Sequence, residues 1–185
     1  MDFLELLPKP DKNTINVGLR TASTEQLIEL LGNPRDTYTG DCQPISNPTL
    51  RARIKTDSVG PFRATGHETA LQSLKEIFVE VAKEIPELHA ILGSAGMECA
   101  RLTRLGDGKL GDKPSKHSWG LAIDIKLKGQ LDEQGDNNVF RGLLILSRYF
   151  NAAGWYWGAA FKTEDGMHFE PSITLLQQWR DAGKI

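Results

Sequence analysis

The sequence is poor in the features that would assign it to several familiar classes. It has two cysteines, Cys42 and Cys99, too few for a disulfide framework and lacking the CxxC spacing of a redox or zinc-ribbon motif. They are expected to be two buried free thiols. Neither charge sign dominates: the formal net charge is -2, and Lys and Arg are scattered rather than gathered into a stripe, so charge gives no reason to expect nucleic acid as a partner. No apolar run approaches membrane-spanning length, and no membrane partner is expected. The first residues, Met1-Asp2-Phe3-Leu4-Glu5-Leu6-Leu7-Pro8, are acidic where a secretory signal needs basic groups, which leads us to expect that the chain starts in the cytoplasm. Internal repeats and low-complexity tracts are also missing.

What is present is an ordinary globular composition, 39% hydrophobic and 25% charged over 185 residues, sufficient for one domain with its own core. Thr24 followed by Leu27-Ile28 and Leu30-Leu31 predicts a short capped helix ended by Gly32-Asn33-Pro34. Residues 36–62 read as a long irregular connection with a short strand near Ala52-Arg53-Ile54. The spacing of Ala70, Leu74, Ile77, Phe78, Val81 and Ile85 predicts the main helix over 67–85, stopped by Pro86. A short strand is expected at 90–94, and the Gly-rich stretch 106–115 reads as an exposed loop of the kind that carries sites. Alternation over 121–127 turns Ile123, Ile125 and Leu127 one way and Asp124 the other. A second long helix is expected over 139–153, capped by Gly154. A strand over 166–170 places His168 and Glu170 on one face, and a C-terminal helix follows Ser172.

Chemistry gathers in two segments. His117 stands at the entry to the strand that carries Asp124, and zinc sites that hydrolyse use three imidazole or carboxylate ligands with a fourth position left for water. Gly120 and Ala122 between them let a metal and a substrate approach the backbone. On spacing alone His117 could equally be a loop histidine and Asp124 a surface carboxylate. His168, with Glu170 on its face and Glu164-Asp165 just upstream, adds a third ligand, again a nitrogen, and a nearby carboxylate that can act as base. His67 and His89 have no partner pattern and read as surface or helix-end histidines.

Three blocks carry a resemblance: Ser115-Lys116-His117-Ser118-Trp119-Gly120-Leu121-Ala122-Ile123-Asp124, then Gly154-Trp155-Tyr156-Trp157-Gly158, then Asp165-Gly166-Met167-His168-Phe169-Glu170. Together they resemble the D-alanyl-D-alanine carboxypeptidases and L-alanyl-D-glutamate endopeptidases, zinc peptidases of peptidoglycan, over roughly Gly93 to Pro171. The resemblance implies an α+β fold of the hedgehog/D-Ala-D-Ala-peptidase-like kind: a small, mainly antiparallel sheet carrying the metal on one face, with helices flanking it. It carries the metal ligands onto His117, Asp124 and His168, the cofactor being Zn2+, and the general base onto Asp165. A weaker likeness around Gly96-Met97-Glu98-Cys99-Ala100-Arg101 puts a substrate-facing arginine at Arg101. Ala159 stands where many members have a second Gly, and the base is Asp rather than the Glu of the carboxypeptidase branch, so both bond specificities stay open. Residues 1–65 carry no motif and are expected to form a helical and irregular part of the same domain.

On this reading the substrate is a peptidoglycan stem peptide, cut next to a D-amino acid, and the chain works at the cell wall after lysis, secretion or phage delivery. Glu164 is the rival base, although neighbours in an extended segment point opposite ways and only one can face the metal. Glu170 is a candidate acceptor orienting a ligand, Ser115 a hydrogen-bond donor or acceptor near the site, and Trp119, Trp155 and Trp157 either cleft lining or core. The rival from another class is a non-catalytic wall-binding or phage-structural module of the same fold.

Overall fold

A computed structural model describes residues 1–105 and 108–185. In chain order the elements are β1 (Leu6–Pro8), α1 (Thr24–Leu31), α2 (Pro48–Arg53), β2 (Ile54–Ser58), β3 (Arg63–His67), α3 (Glu68–Glu84), α4 (Pro86–His89), β4 (Leu92–Gly96), β5 (Leu102–Arg104) and β6 (Leu110–Pro114). A 3-10 turn, Lys116–Trp119, leads into β7 (Ile123–Leu127), β8 (Asn138–Phe140), α5 (Arg141–Ala152), β9 (Trp155–Trp157), β10 (His168–Pro171) and α6 (Ile173–Asp181). The central sheet has the order β4-β7-β10-β9, and each neighbouring pair in it is antiparallel. This is the expected α+β architecture, with helices packed on a small antiparallel sheet.

The strands are short, so they are held by what their apolar faces bury. Ile123, Ile125 and Leu127 of β7 and Phe169 of β10 have no exposed surface, and α3 and α5 cover that side through Leu74, Phe78, Leu143, Leu146 and Phe150. Phe150 sits at the centre, 4.1 Å from Phe169 and 5.9 Å from Phe78 between ring centroids. Removing such a ring costs about 3–5 kcal/mol, because the cavity cannot collapse. Trp119, Trp155 and Trp157 are all fully buried, so the core reading holds for each and none lines a cleft.

Several local expectations are corrected. Asn47 accepts from the amides of Thr49 and Leu50 and Pro48 opens the first turn, so residues 48–53 form α2 and the strand starts only at Ile54. The expected exposed loop 106–115 contains β6, paired with β5, while 106 and 107 lie outside the described residues. Backbone pairing suffices there, since Leu110 is about half exposed and no apolar alternation marks the strand. The helix expected from Val139 begins at Arg141, because 138–140 pair with β1 instead. Ser23, not Thr24, caps α1, in a capping box with Gln26.

The cysteines are not free thiols: Cys42 and Cys99 form a disulfide, their Cα atoms 4.9 Å apart. An antiparallel bridge between Gln43 and Ala100, with the Gln43 amide donating to the Ala100 carbonyl at 3.0 Å, brings the two residues side by side. Their separation of 57 residues hides this from local pattern. His67 is at a helix end, as expected, but is wholly buried rather than at the surface.

Candidate metal centre

Asp124 on β7 and His168 on β10 are directly opposed in antiparallel register, so their side chains leave the sheet on the same side. The alternation of β7 puts its three apolar side chains into the core, which turns Asp124 away from it. His117 comes from the 3-10 turn in front of the strand. Ser115 caps that turn, its hydroxyl accepting from the His117 amide at 3.4 Å. Gly120 closes it in the left-handed region at φ 63°, and a Cβ there would lie 2.9 Å from the His67 amide nitrogen. Side-chain ligand atoms of His117, Asp124 and His168 all lie within 4.8 Å of one another, so the three could hold a metal ion.

The nitrogens facing the centre are the ones left free to coordinate. His117 Nδ1 is 3.0 Å from the Met97 carbonyl, which can only accept, so the proton of the neutral ring sits there and the Nε2 lone pair faces Asp124 Oδ1 at 3.3 Å. His168 is oriented the other way round: Nε2 is 3.0 Å from Glu170 Oε2, and Nδ1 faces Asp124 Oδ1 at 3.2 Å. A metal at the centre would meet His117 Nε2 and His168 Nδ1 beside one oxygen of Asp124, a donor set that suits zinc, with the Met97 carbonyl and Glu170 behind the two rings. With no metal the same arrangement favours a proton. Desolvation lowers the His168 pKa, but the hydrogen bonds that the ring donates to Asp124 and Glu170 outweigh it and hold the group up at about 10. Burial raises the Asp124 carboxyl, yet the charges and hydrogen bonds of His117 and His168 overcome that and keep it well below the usual carboxylate range.

The two acidic residues upstream separate by environment. Glu164 is buried with 1% exposure, and both its oxygens accept backbone amides, from Gly135 at 2.8 Å and Asn137 at 2.9 Å. It is a structural clamp on the 132–137 loop. Asp165 lies within electrostatic reach of His117, Asp124 and His168: Oδ2 accepts from Gln134 Nε2 at 3.1 Å, and Oδ1 is buried without a partner among the described residues. Burial pushes its carboxyl up, opposed first by the charge of His168. Gly158, at the end of the Trp-Gly block, permits this placement. The Asp165 amide donates to the Gly158 carbonyl at 3.0 Å, and a Cβ at 158 would lie 2.6 Å from the backbone carbonyl oxygen of Asp165.

Arg101 is half-buried near the same centre, within electrostatic reach of Asp124 and Asp165, with Nη1 donating to the Leu102 carbonyl at 2.9 Å. Motif reading assigned no role to Gln134 and none to Lys116. The Lys116 ammonium is turned inward to donate to the Ala22 carbonyl, and burial, partly offset by the charge of Glu170, lowers its pKa. Neither sits in a pattern that spacing could single out. A groove of about 680 Å³ between α3, α5 and α6 lies apart from this chemistry, and none of the site residues lines it.

Fold and site together define an α+β protein whose small antiparallel sheet brings together a His-Asp-His group that could hold a metal ion, with a partly buried carboxylate within electrostatic reach. Residues 110–171, about a third of the chain, match the family model of D-alanyl-D-alanine carboxypeptidase, which shows the likeness that the motifs carry. That stretch contains the three metal-facing residues and Asp165, while Arg101 lies outside it. Comparison with curated proteins and with solved structures gives no match. No helix among the described residues is long and apolar enough to cross a membrane.

Proposed function

We propose that this chain is a zinc-dependent peptidase that hydrolyses a peptide bond next to a D-amino acid in peptidoglycan stem peptides. The observation that carries the reading is the convergence of His117 Nε2 and His168 Nδ1 on one oxygen of Asp124, within electrostatic reach of Asp165, whose buried Oδ1 has no hydrogen-bond partner among the described residues. Zinc, when bound there, acidifies a water and polarises the scissile carbonyl.

Asp165 is the group that moves the proton. Its Oδ1 takes a proton from the attacking water as the water oxygen bonds to the carbonyl carbon, and gives it to the amine as the C–N bond breaks. The upward push of burial on its carboxyl suits that shuttle, since a base with pKa closer to neutral also serves as an acid. Arg101 supplies positive charge for the substrate's carboxylate or for its carbonyl oxygen. The aspartate at the base position matches the endopeptidase branch, while the matched family model bears the carboxypeptidase description.

Digestion of purified peptidoglycan, with the fragments read by mass spectrometry, tests activity and bond together. Loss of a terminal D-alanine marks a carboxypeptidase, and release of whole stem peptides marks an endopeptidase. Asp165→Ala is expected to keep one zinc per chain and lose hydrolysis. A wild type that binds the wall without zinc and releases no fragment would show instead a binding module.

A further inference from the structure

The geometry points to Gln134 as a positioning residue for the base Asp165, an inference that rests on the function proposed above. The Asp165 carboxylate has two unlike oxygens. Oδ2 receives the Gln134 side-chain amide at 3.1 Å, and Oδ1 is buried with no donor among the described residues. A carboxylate without a hydrogen bond turns about its last torsion, and the Gln134 amide on Oδ2 restricts that rotation so that the free oxygen stays available for the water's proton.

Gln134 itself is exposed, and an exposed glutamine would ordinarily wander. Its backbone is what prevents this. Glu164, the neighbour of the base, reaches from the interior to accept the amides of Gly135 and Asn137, and its carbonyl also accepts from Gly135 at 3.1 Å. Asp132, 2% exposed, ties the start of the loop by accepting the Phe140 amide at 2.9 Å. Gly135, at φ 89°, turns the chain immediately after Gln134 against Thr163. The loop is therefore pinned on both sides of Gln134 to the segment that supplies Asp165, and the acidic pair divides its work: Glu164 holds the loop, and the loop holds Asp165.

Two measurements test this. In the zinc-free full chain, nuclear magnetic resonance of the Gln134 side-chain amide should show hydrogen-bonded protons in the wild type that move to solvent-exposed positions in Asp165→Ala, while the Gly135 and Asn137 amides stay protected. In the zinc-loaded enzyme, Gln134→Ala and the isosteric Gln134→Glu should lower kcat about tenfold, with KM within about twofold, unchanged zinc content and unchanged melting temperature, as loss of orientation without loss of binding requires. Gln134 amide signals indifferent to Asp165→Ala, or an unchanged kcat in Gln134→Ala, would overturn the inference and leave the peptidase reading standing. A zinc-loaded wild type that cuts no peptidoglycan bond would overturn the function, and this role of Gln134 with it, whatever the amide signals show.

Discussion

His168 stands between two carboxylates, its Nδ1 3.2 Å from Asp124 and its Nε2 3.0 Å from Glu170. Glu170 is two residues further along the same strand and therefore on the same face. With Nε2–H donating to Glu170, the nitrogen that a metal at the centre would meet is Nδ1. Glu170→Ala is expected to weaken zinc binding by about 10- to 100-fold, the usual cost of losing the acceptor behind a metal-bound histidine. Titration against a chromophoric chelator measures this, and an unaltered affinity would remove Glu170 from the site's design.

Glu164 and Asp165 should respond in opposite ways to loss of charge. Glu164→Gln leaves one loop amide without its acceptor and is expected to cost about 1–3 kcal/mol of stability in urea unfolding, with zinc retained and hydrolysis still measurable. Asp165→Asn is expected to fold as well as the wild type and to lose about 10²- to 10⁴-fold in kcat. The reverse pattern would exchange their roles.

His67 links stability to acid. It caps α3 through Nδ1, which accepts from the Thr69 amide at 3.3 Å, and lies buried with Nε2 unpartnered among the described residues. Burial, with the charge of Arg53 adding to it, lowers its pKa from 6.5 to about 4. The folded state thus resists a proton that the unfolded chain accepts, so stability is lost as pH falls from 6.5 towards 4. The loss from this group alone reaches about 3 kcal/mol at pH 4. His67→Asn preserves a side-chain cap and cannot titrate. Melting curves from pH 7 to pH 4 should therefore fall less steeply for the variant than for the wild type, and parallel curves would count against this account.

The Cys42–Cys99 disulfide closes a long stretch of chain around the segment beneath the site, where the Cys99 amide donates to the His117 carbonyl at 3.0 Å. In the chain-entropy account a loop of this length contributes about 4 kcal/mol. The Cys42→Ser, Cys99→Ser double variant is expected to lose stability of that order in denaturant, and to bind zinc more weakly because the turn carrying His117 loses its tether. Equal stability with and without reductant would show that the packing alone holds this region.

Much of the site was legible because its signals are local. Alternation along β7 set Asp124 off from the core, and alternation along β10 joined His168 to Glu170, both being consequences of strand geometry within a few residues. The main helix was legible from periodicity for the same reason. The misreadings were at positions where a distant partner decides. Residues 138–140 continue an apolar run that suits a helix, yet they pair with β1 across the chain. The polar residues 110–114 have no alternation to reveal a strand that is held by backbone pairing with β5.

The sequence by itself determined which side chains are able to serve, since an imidazole or a carboxylate brings its donor atoms wherever it goes and strand alternation sorts it to one face. Only the tertiary structure decided which nitrogen of each ring faces Asp124, which of two adjacent acids has both oxygens taken by backbone amides, and that two cysteines 57 residues apart are joined. Those outcomes depend on the Met97 carbonyl, the loop amides of Gly135 and Asn137, and the Gln43–Ala100 bridge. Each is a contact made across the fold, and a hydrogen bond's direction is fixed by where its partner lies in space rather than by its place along the chain.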